Sequence, residues 1–352
     1  MENATDNADK PLSRRERMAG CMLGGAVGDA MGAPVEFMGL DEIRGRFGLS
    51  GVTRYETAYG RKGAITDDTQ MSLFTAEGLI LSSVRSDYAE TPITAIYHAY
   101  LRWLYTQDMH HQKQLINTHG TCAVVDGILT GHQALFSRRA PGRSCLDALR
   151  SGRMGTLEQP INDSKGCGGL MRVAPVGLVF SDVEKAFRLG CEAAAVTHGH
   201  PTGALSAGSL SALISSLLSD HPLATALDDV SRILVQKTGC EECIQAIEQA
   251  VGLSQRHAPS PEIIETLGAG WIAEEALAIS LYCALVAGDD FSKGVLLAVN
   301  HSGDSDSTGS ITGNIIGAGY GAMVIPDVWL ADLELSDVIE EIAADICDRF
   351  VR

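Results

Sequence analysis

Aromatic side chains are scarce in this 352-residue chain, where they make up 5% of residues, whereas glycine occurs 38 times. Small side chains must therefore fill many of the contacts between secondary-structure elements. Basic residues are also few, because 27 Lys and Arg face 44 Asp and Glu, which gives a net charge of -17. This balance excludes a nucleic-acid scaffold, since no basic stripe is present to replace the counterions of phosphates.

The nine cysteines form neither a disulfide framework nor a zinc-finger pattern. Cys240 and Cys243 form the only C-x-x-C, and no second pair follows at zinc-finger spacing. Scattered cysteines and an N-terminus without a signal peptide predict reduced thiols in a cytoplasmic protein. Long hydrophobic runs are missing too. The most apolar late stretch, 311–325, is interrupted by Asn314 and by glycines and is too short to cross a bilayer, so we expect no membrane attachment.

Apolar residues recur at helical spacing through most of the chain. Residues 1–13 are polar and without periodicity, so we expect a flexible tail. From Arg14 onward no strand alternation is convincing, and the spacing predicts helices at 70–84, 93–105, 182–196, 203–218, 273–286 and 338–350. The segment 156–169 is loop-like, and no linker rich in Pro, Ser or Gly divides the chain. The sequence therefore predicts a single all-α domain over residues 14–352.

Two short acidic strings, more than two hundred residues apart, combine carboxylates with hydroxyls. The first runs from Thr66 to Thr69 and the second from Asp304 to Thr308. Crowded carboxylates repel one another unless a positive charge lies between them, and all-oxygen ligand sets suit Mg²⁺, Mn²⁺ or Ca²⁺. Each string precedes a helical segment, so two unrelated helix caps are the alternative. Because both strings have the same chemistry, we favour a site for two metal ions.

Glycine recurs every four residues beside these strings, at positions Gly24, Gly28 and Gly32 and again at Gly309, Gly313, Gly317 and Gly321. A glycine inside a helix costs about 1 kcal/mol relative to alanine. A regular stripe removes the side chains from one helix face and allows a second helix to come close. Glycines that end short helices are the alternative. We expect both striped helices at the centre of the bundle, near the acidic strings.

A glycine-rich loop and two single residues are further candidates. Three glycines within four residues between Ser164 and Arg172 suit a loop whose backbone N–H groups hold an anion such as phosphate, although a plain flexible loop fits equally well. His198 lies between two predicted helices, where it either touches a ligand or serves as a cap. Glu36 follows the first striped helix and could equally be solvated surface.

Taken together, these residues resemble the ADP-ribosylglycohydrolase family from about Arg14 to the C-terminus. The resemblance rests on several motifs in family order, at 24–30 with Glu36, 66–69, 166–172, 197–198, 270–277 and 303–309. It implies a compact orthogonal bundle of helices and the hydrolysis of an ADP-ribose conjugate. The Gly-Asp-Ser-Asp-Ser-Thr-Gly form looks most like members that act on ADP-ribosyl-arginine in modified proteins.

The resemblance also implies roles for individual residues. Two Mg²⁺ or Mn²⁺ ions would be ligated by Thr66, Asp67, Asp68, Asp304, Asp306 and Ser307. Catalysis of N-glycosidic hydrolysis would involve Asp67, Asp68, Asp304 and Glu36, with Glu36 on a mobile loop over the metal site. The ADP-ribose would lie near His198, and its diphosphate would contact Gly166, Gly168 and Gly169.

Two alternative functions remain compatible with the sequence. The enzyme could act on another ADP-ribose conjugate, such as a serine-linked one or O-acetyl-ADP-ribose. It could also be an immunity-type protein that binds and occludes an ADP-ribosyltransferase, alone or in addition to hydrolysis. The acidic surface and the N-terminal tail motivate this second alternative.

Overall fold

The computed structural model describes residues 12–84, 92–107 and 127–351, which are helical with only two isolated β-bridges and no strand. The predicted all-α class is confirmed. The 16 α-helices of this described part are α1 Arg14–Gly32, α2 Leu40–Phe47, α3 Asp67–Val84, α4 Pro92–Gln107, α5 Arg143–Arg150, α6 Ala174–Val179, α7 Val183–Ala195, α8 Pro201–Leu217, α9 Leu223–Leu234, α10 Glu241–Arg256, α11 Pro261–Ile264, α12 Ala273–Ala287, α13 Phe291–Val299, α14 Ser305–Tyr320, α15 Asp327–Asp332 and α16 Ser336–Phe350.

The six helices predicted from apolar spacing correspond to α3, α4, α7, α8, α12 and α16. The predicted tail 1–13 lies outside the described residues except for Leu12 and Ser13. Ser13 caps α1, since its hydroxyl accepts from the Glu16 backbone N–H at 3.3 Å while the Glu16 carboxylate accepts from the Ser13 N–H at 2.6 Å. This reciprocal capping box fixes where the first helix begins.

The two glycine-striped helices, α1 and α14, lie in direct backbone contact. A Cβ added to Gly24 would lie 2.4 Å from the carbonyl oxygen of Gly313, and one added to Gly28 would lie 2.0 Å from that of Gly309. Distances this short leave no space for any side chain, so only glycine permits the contact. Asn314 strengthens it, because its side-chain amide donates to the Cys21 carbonyl oxygen of α1 at 2.8 Å.

The stripe differs from its prediction at both ends. Gly20 also belongs to it, since a Cβ there would lie 2.4 Å from the carbonyl oxygen of Gly317. Gly321 does not, because α14 has already ended and this residue has φ 76°, a left-handed conformation that glycine adopts without steric cost. At the other end, a Cβ on Gly32 would lie 2.3 Å from the carbonyl oxygen of Ser305, the first residue of α14. The close contact therefore continues up to the second acidic string.

Around this pair the bundle is filled by helices with few exposed faces. Every residue of α8 from Thr202 to Leu217 is buried, as expected for a helix at the centre of a bundle. In the part of the chain that the structure describes, no helix has both the length and the apolar character that a membrane crossing requires. The described cysteines are free thiols.

Candidate active site

The fold brings the two acidic strings to one cleft. The first string begins α3 and the second begins α14, and side-chain oxygens of Glu36, Asp304 and Asp306 lie within 4.8 Å of one another. Asp67 and Asp68 line the same cleft, which has a volume of about 380 Å³. All five carboxylates are buried. The two acidic strings thus lie close together, as the metal hypothesis requires. The individual metal ligands stay a prediction.

Helix capping accounts for only part of these strings. Thr66 does act as a cap, because its hydroxyl accepts from the Asp68 backbone N–H at 3.3 Å. Asp304 occupies the N-cap position of α14, yet its side chain makes no capping hydrogen bond within the described residues. The Asp304 carboxylate is thus not used in capping, whereas Asp306 Oδ1 accepts from the Ser307 backbone N–H at 3.0 Å.

Two carboxylate oxygens in the cleft are orphaned. Among the residues that the structure describes, no hydrogen-bond partner reaches Asp68 Oδ1 or Glu36 Oε2, although these side chains belong to residues only 2% and 6% exposed. A buried carboxylate without a partner is unfavourable by several kcal/mol unless it is protonated or faces a cation. Carboxylate and hydroxyl oxygens are the donors that divalent hard cations prefer, so the residues present fit such an ion.

Burial and mutual repulsion govern the protonation of the cleft. Burial, followed by the negative charge of Asp306, raises the pKa of Glu36 to about 11. The pKa values of Asp67, Asp68 and Asp304 also lie well above the usual range, first because of burial and then because of Asp306. Burial and mutual repulsion thus favour the protonated form of these carboxylates, and a cation bound among them would oppose this effect.

Asp29, which sequence reasoning did not select, holds the first string in place. Its carboxylate accepts from the Thr66 N–H at 2.9 Å, from the Thr69 N–H at 3.1 Å and from the Thr69 hydroxyl. These bonds satisfy N–H groups that the first turn of α3 leaves without helical partners. Burial, followed by repulsion from Asp306, raises the pKa of Asp29 to about 7. The signal in the sequence is a lone acid inside an apolar, glycine-striped helix.

A buried ion pair anchors the residue that precedes the first string. Arg139 and Glu334 lie 3.2 Å apart, and both are nearly inaccessible. Arg139 donates to the Ile65 carbonyl oxygen at 3.1 Å, and the Glu334 carboxylate accepts from the Ile65 N–H at 3.1 Å. The backbone at Thr66 is thereby fixed from the side opposite Asp29. Nothing in the sequence links these three residues, because they are far apart along the chain.

The glycine-rich loop lies on the other wall of the cleft. Its Gly166 forms an isolated antiparallel bridge with Ile272, just before α12. The glycines pack against the imidazole of His198, since a Cβ on Gly168 would lie 3.2 Å from His198 Cε1. Side chains at these positions would thus collide with the ring or project into the cleft. The loop and the carboxylates line the same cleft, while the predicted contact of the loop with a diphosphate stays a prediction.

His198 supports the loop from behind and is only 2% exposed. Burial, followed by the charge of Arg172, lowers the pKa of His198 to about 3, so its imidazole is neutral. Arg172 donates to Thr197 Oγ1 at 2.7 Å, and this hydroxyl bonds to His198 Nδ1 at 2.8 Å. His198 also borders a second, larger cavity of about 790 Å³. The carboxylates of the two acidic strings line the smaller cleft and not the larger cavity, so the smaller cleft is the candidate active site.

Three further side chains line the cleft and were not singled out from the sequence. Cys167, within the glycine loop, points its sulfur at Asp304 Oδ2, 2.6 Å away. Phe37 and Trp271 stack at the mouth with ring centroids 5.7 Å apart and an interplanar angle of 17°. Phe37 is 72% exposed and Trp271 42% exposed, so a molecule that enters the cleft can contact both rings.

Two acidic helix starts and a glycine loop thus line one cleft of an all-α bundle, and the oxygen-rich part of this lining fits a hard cation. The family model for ADP-ribosylglycohydrolase matches residues 10–352, and the chain belongs to this family. The resemblance found in the sequence is thereby confirmed. Membership supports an ADP-ribosyl hydrolase.

Curated relatives match over nearly their full length at low identity. The "ADP-ribosyl-[dinitrogen reductase] glycohydrolase" of Rhodospirillum rubrum is 26% identical, with 92% of each chain covered. The "ADP-ribosylarginine hydrolase Tri1" of Pseudomonas putida is 25% identical over 96% of this chain and 80% of its own. A solved structure described as an "ADP-ribosylglycohydrolase-related protein complex" is 25% identical and has a TM-score of 0.61, with 96% of this chain and 99% of the other covered.

Proposed function

We propose that this protein hydrolyses the N-glycosidic bond between ADP-ribose and an arginine side chain of a modified protein, with two Mg²⁺ or Mn²⁺ ions as cofactors. The observation that carries the proposal is the meeting of both acidic strings and Glu36 in one cleft, where Asp68 Oδ1 and Glu36 Oε2 are buried without a hydrogen-bond partner among the described residues. The arginine linkage is supported by the Gly303–Gly309 sequence and by the name of the relative from P. putida, whereas the name of the R. rubrum relative supports a modified protein as the substrate.

The ions would be held by Thr66, Asp67, Asp68, Asp304, Asp306 and Ser307. Bound there, they would orient the hydroxyls of the distal ribose and polarise a water molecule. Asp29 keeps the first half of this ligand set in position through its bonds to Thr66 and Thr69. It is a positioning residue, because its carboxylate is occupied by these bonds and does not line the cleft.

The carboxylates that line the cleft supply the chemistry of bond cleavage. Asp67, Asp68 and Asp304 place negative charge beside the anomeric carbon, where positive charge develops as the bond to nitrogen breaks. One of them accepts a proton from the attacking water, and the departing guanidine takes up a proton to leave as guanidinium. Glu36 lies at the edge of the same group and would orient the leaving side chain. The products are free ADP-ribose and unmodified arginine.

The glycine loop would bind the diphosphate. Gly166, Gly168 and Gly169 carry no side chains, so phosphate oxygens can approach their backbone N–H groups closely. His198 packs behind these residues and keeps the loop from collapsing. Because its imidazole is neutral, it serves as a packing and hydrogen-bonding group near the ADP-ribose without adding positive charge.

The decisive experiment is incubation with an arginine-ADP-ribosylated protein in Mg²⁺ or in EDTA, with free ADP-ribose as the readout. We expect release in Mg²⁺, loss in EDTA, and loss in both Asp68→Ala and Asp304→Ala. Asp41→Ala is the matched control, since Asp41 is an exposed acid on α2 outside the cleft. If either cleft variant released ADP-ribose as fast as the control, the assignment would be wrong.

A serine-linked conjugate is the second substrate to test. The mouse "ADP-ribosylhydrolase ARH3" is 22% identical over 90% of this chain, which motivates its inclusion. Arginine-linked and serine-linked peptides of one sequence, compared at equal concentration, separate the two activities. Faster release from the serine-linked peptide would replace the arginine assignment but would leave the metal-dependent hydrolysis in place.

A further inference from the structure

Cys167 places a thiol among the carboxylates and hydroxyls of the cleft. Its sulfur lies 2.6 Å from Asp304 Oδ2 and 3.6 Å from the hydroxyl oxygen of Ser307. Asp304 and Ser307 come from the second acidic string, so the sulfur faces the same volume that a cation held by this string would occupy. A ligand set drawn only from the acidic strings leaves this sulfur out.

The backbone holds the thiol in this position. The Cys167 N–H donates to the Trp271 carbonyl oxygen at 3.1 Å, and the neighbouring Gly166 is bridged to Ile272. The next residue, Gly168, packs against the His198 ring. These backbone bonds and this packing hold the loop on both sides of Cys167. The position of the sulfur beside Asp304 therefore depends on the backbone of the loop as well as on the rotamer of Cys167.

Other cysteines of the described chain have different surroundings. Cys21 and Cys283 have no exposed surface and belong to the hydrophobic core. Cys243 has only serine hydroxyls as hydrogen-bonding neighbours, with Ser206 at 3.6 Å. Buried cysteines of this kind behave as small hydrophobic residues. Cys167 instead lies where a divalent ion is required.

Two oxygen atoms that do not contact Cys167 give a separate reason to expect a cation in this cleft. Asp68 Oδ1 and Glu36 Oε2 are buried, line the same cleft and find no hydrogen-bond partner in the described residues. Negative oxygens in this environment call for a nearby cation. Any cation that balances them and contacts Asp304 lies in the space that the thiol faces.

We propose that Cys167 is a sulfur ligand of the cation bound at Asp304, which makes this half of the centre a mixed oxygen and sulfur site. Thiolate ligands select borderline and soft ions over Mg²⁺, so the site takes Co²⁺, Zn²⁺ and Cd²⁺ more tightly than an all-oxygen site would. The thiol proton leaves to solvent when such an ion binds. This inference rests on the proposed metal centre, and it is independent of the ADP-ribose conjugate that the enzyme cleaves.

Cobalt is the probe that reports a sulfur ligand directly. The metal-free full-length protein is titrated with Co²⁺, and its near-ultraviolet absorption is followed for sulfur-to-cobalt charge transfer. We expect this band in the wild type and its loss in Cys167→Ser. Cys240→Ser is the matched control, because Cys240 is a nearly buried thiol before α10 that does not line the cleft, and this variant should keep the band.

Calorimetric titrations give a second readout that needs no substrate. In Cys167→Ser the affinity for Cd²⁺ should fall by at least about tenfold, as for the loss of a group that supports a metal site. The affinity for Mg²⁺ should stay unchanged, which also shows that the variant is folded around an intact cage of oxygens. Equal losses for Cd²⁺ and Mg²⁺ would mean that the thiol only supports the loop, and would overturn the proposal.

The outcomes separate the two proposals. Cobalt that binds to the wild type without the charge-transfer band, or a band that persists in Cys167→Ser, overturns the sulfur ligand and leaves the oxygen-based metal centre standing. A wild type that binds neither Co²⁺ nor Mg²⁺ overturns both.

Discussion

Replacing Gly28 by alanine tests whether backbone contact between α1 and α14 builds the site. The new Cβ would lie 2.0 Å from the Gly309 carbonyl oxygen, about 1.4 Å short of an ordinary van der Waals contact. The clashing atom belongs to the backbone of another helix, so rotation of a side chain cannot relieve the clash. The two helices must move apart or bend.

The expected magnitude follows from two opposing effects. Alanine inside a helix is favoured over glycine by about 1 kcal/mol, whereas overpacking a core costs about 1–3 kcal/mol and sometimes more. Because a rigid backbone is struck, we place the cost near the upper end and expect a net destabilisation of about 2 kcal/mol. For a protein of this size the melting temperature should fall by about 3 °C.

Gly45→Ala is the matched control for this substitution. Gly45 lies inside the exposed helix α2, and a Cβ there would meet no atom within 4 Å among the described residues. It should stabilise the protein by up to about 1 kcal/mol. The two variants share the same chemical change, so the opposite sign isolates the effect of the helix contact.

Urea and thermal unfolding in EDTA measure stability, and calorimetric Mg²⁺ titration measures the effect on the site. Affinity for Mg²⁺ should fall in Gly28→Ala, because Asp29 on α1 and the acidic start of α14 are displaced relative to each other. A Gly28→Ala protein as stable as Gly45→Ala, with unchanged Mg²⁺ affinity, would refute the reasoning.

Two further predictions concern the groups that support the cleft. Asp29→Ala leaves the N–H groups of Thr66 and Thr69 without their buried acceptor. Because each unsatisfied group costs about 1–3 kcal/mol, the free energy of unfolding measured in urea should fall by at least about 2 kcal/mol. An unchanged unfolding midpoint would contradict the positioning role of Asp29. Burial lowers the pKa of His198 in the folded protein to about 3, whereas the usual value is 6.5. Between these two pH values only the unfolded state binds a proton at His198. The free energy of unfolding therefore falls as the pH falls through this range. Between pH 7 and 5.5 the free energy of unfolding should fall by about 1 kcal/mol because of His198. In His198→Gln this contribution to the pH dependence of urea unfolding should be absent. The same pH dependence in the variant and the wild type would show that the imidazole is accessible to protons.

Helical periodicity was sufficient to predict the fold class, because a helix reveals its buried face through apolar residues three and four apart. The helix at 70–84 was visible in this way, although α3 begins three residues earlier at Asp67. The stripe of glycines correctly predicted a close helix pair. It failed at Gly321, because a glycine that ends a helix has the same sequence signature as one that permits contact.

The residues that support the site were harder to find. Arg139, Glu334 and Cys167 act through partners that are distant along the chain, and no local pattern marks them. Asp29 lies in a segment quoted for the family resemblance, yet its role became visible only through its bonds to Thr66 and Thr69. The predicted metal ligands and catalytic residues stay predictions, now with a common location.

By itself, the sequence determined the helices, the family and the types of donor atom, because these depend on local periodicity and on residue chemistry. Only the tertiary structure decided which donors share one space. The glycine contact brings the start of α14 to Gly32, while Asp29 on the same helix holds the first string. The tertiary structure also decided which buried oxygens find no partner among the described residues and that the Cys167 thiol lies beside Asp304. Their electrostatics depend on distance and burial, which residue order alone does not specify.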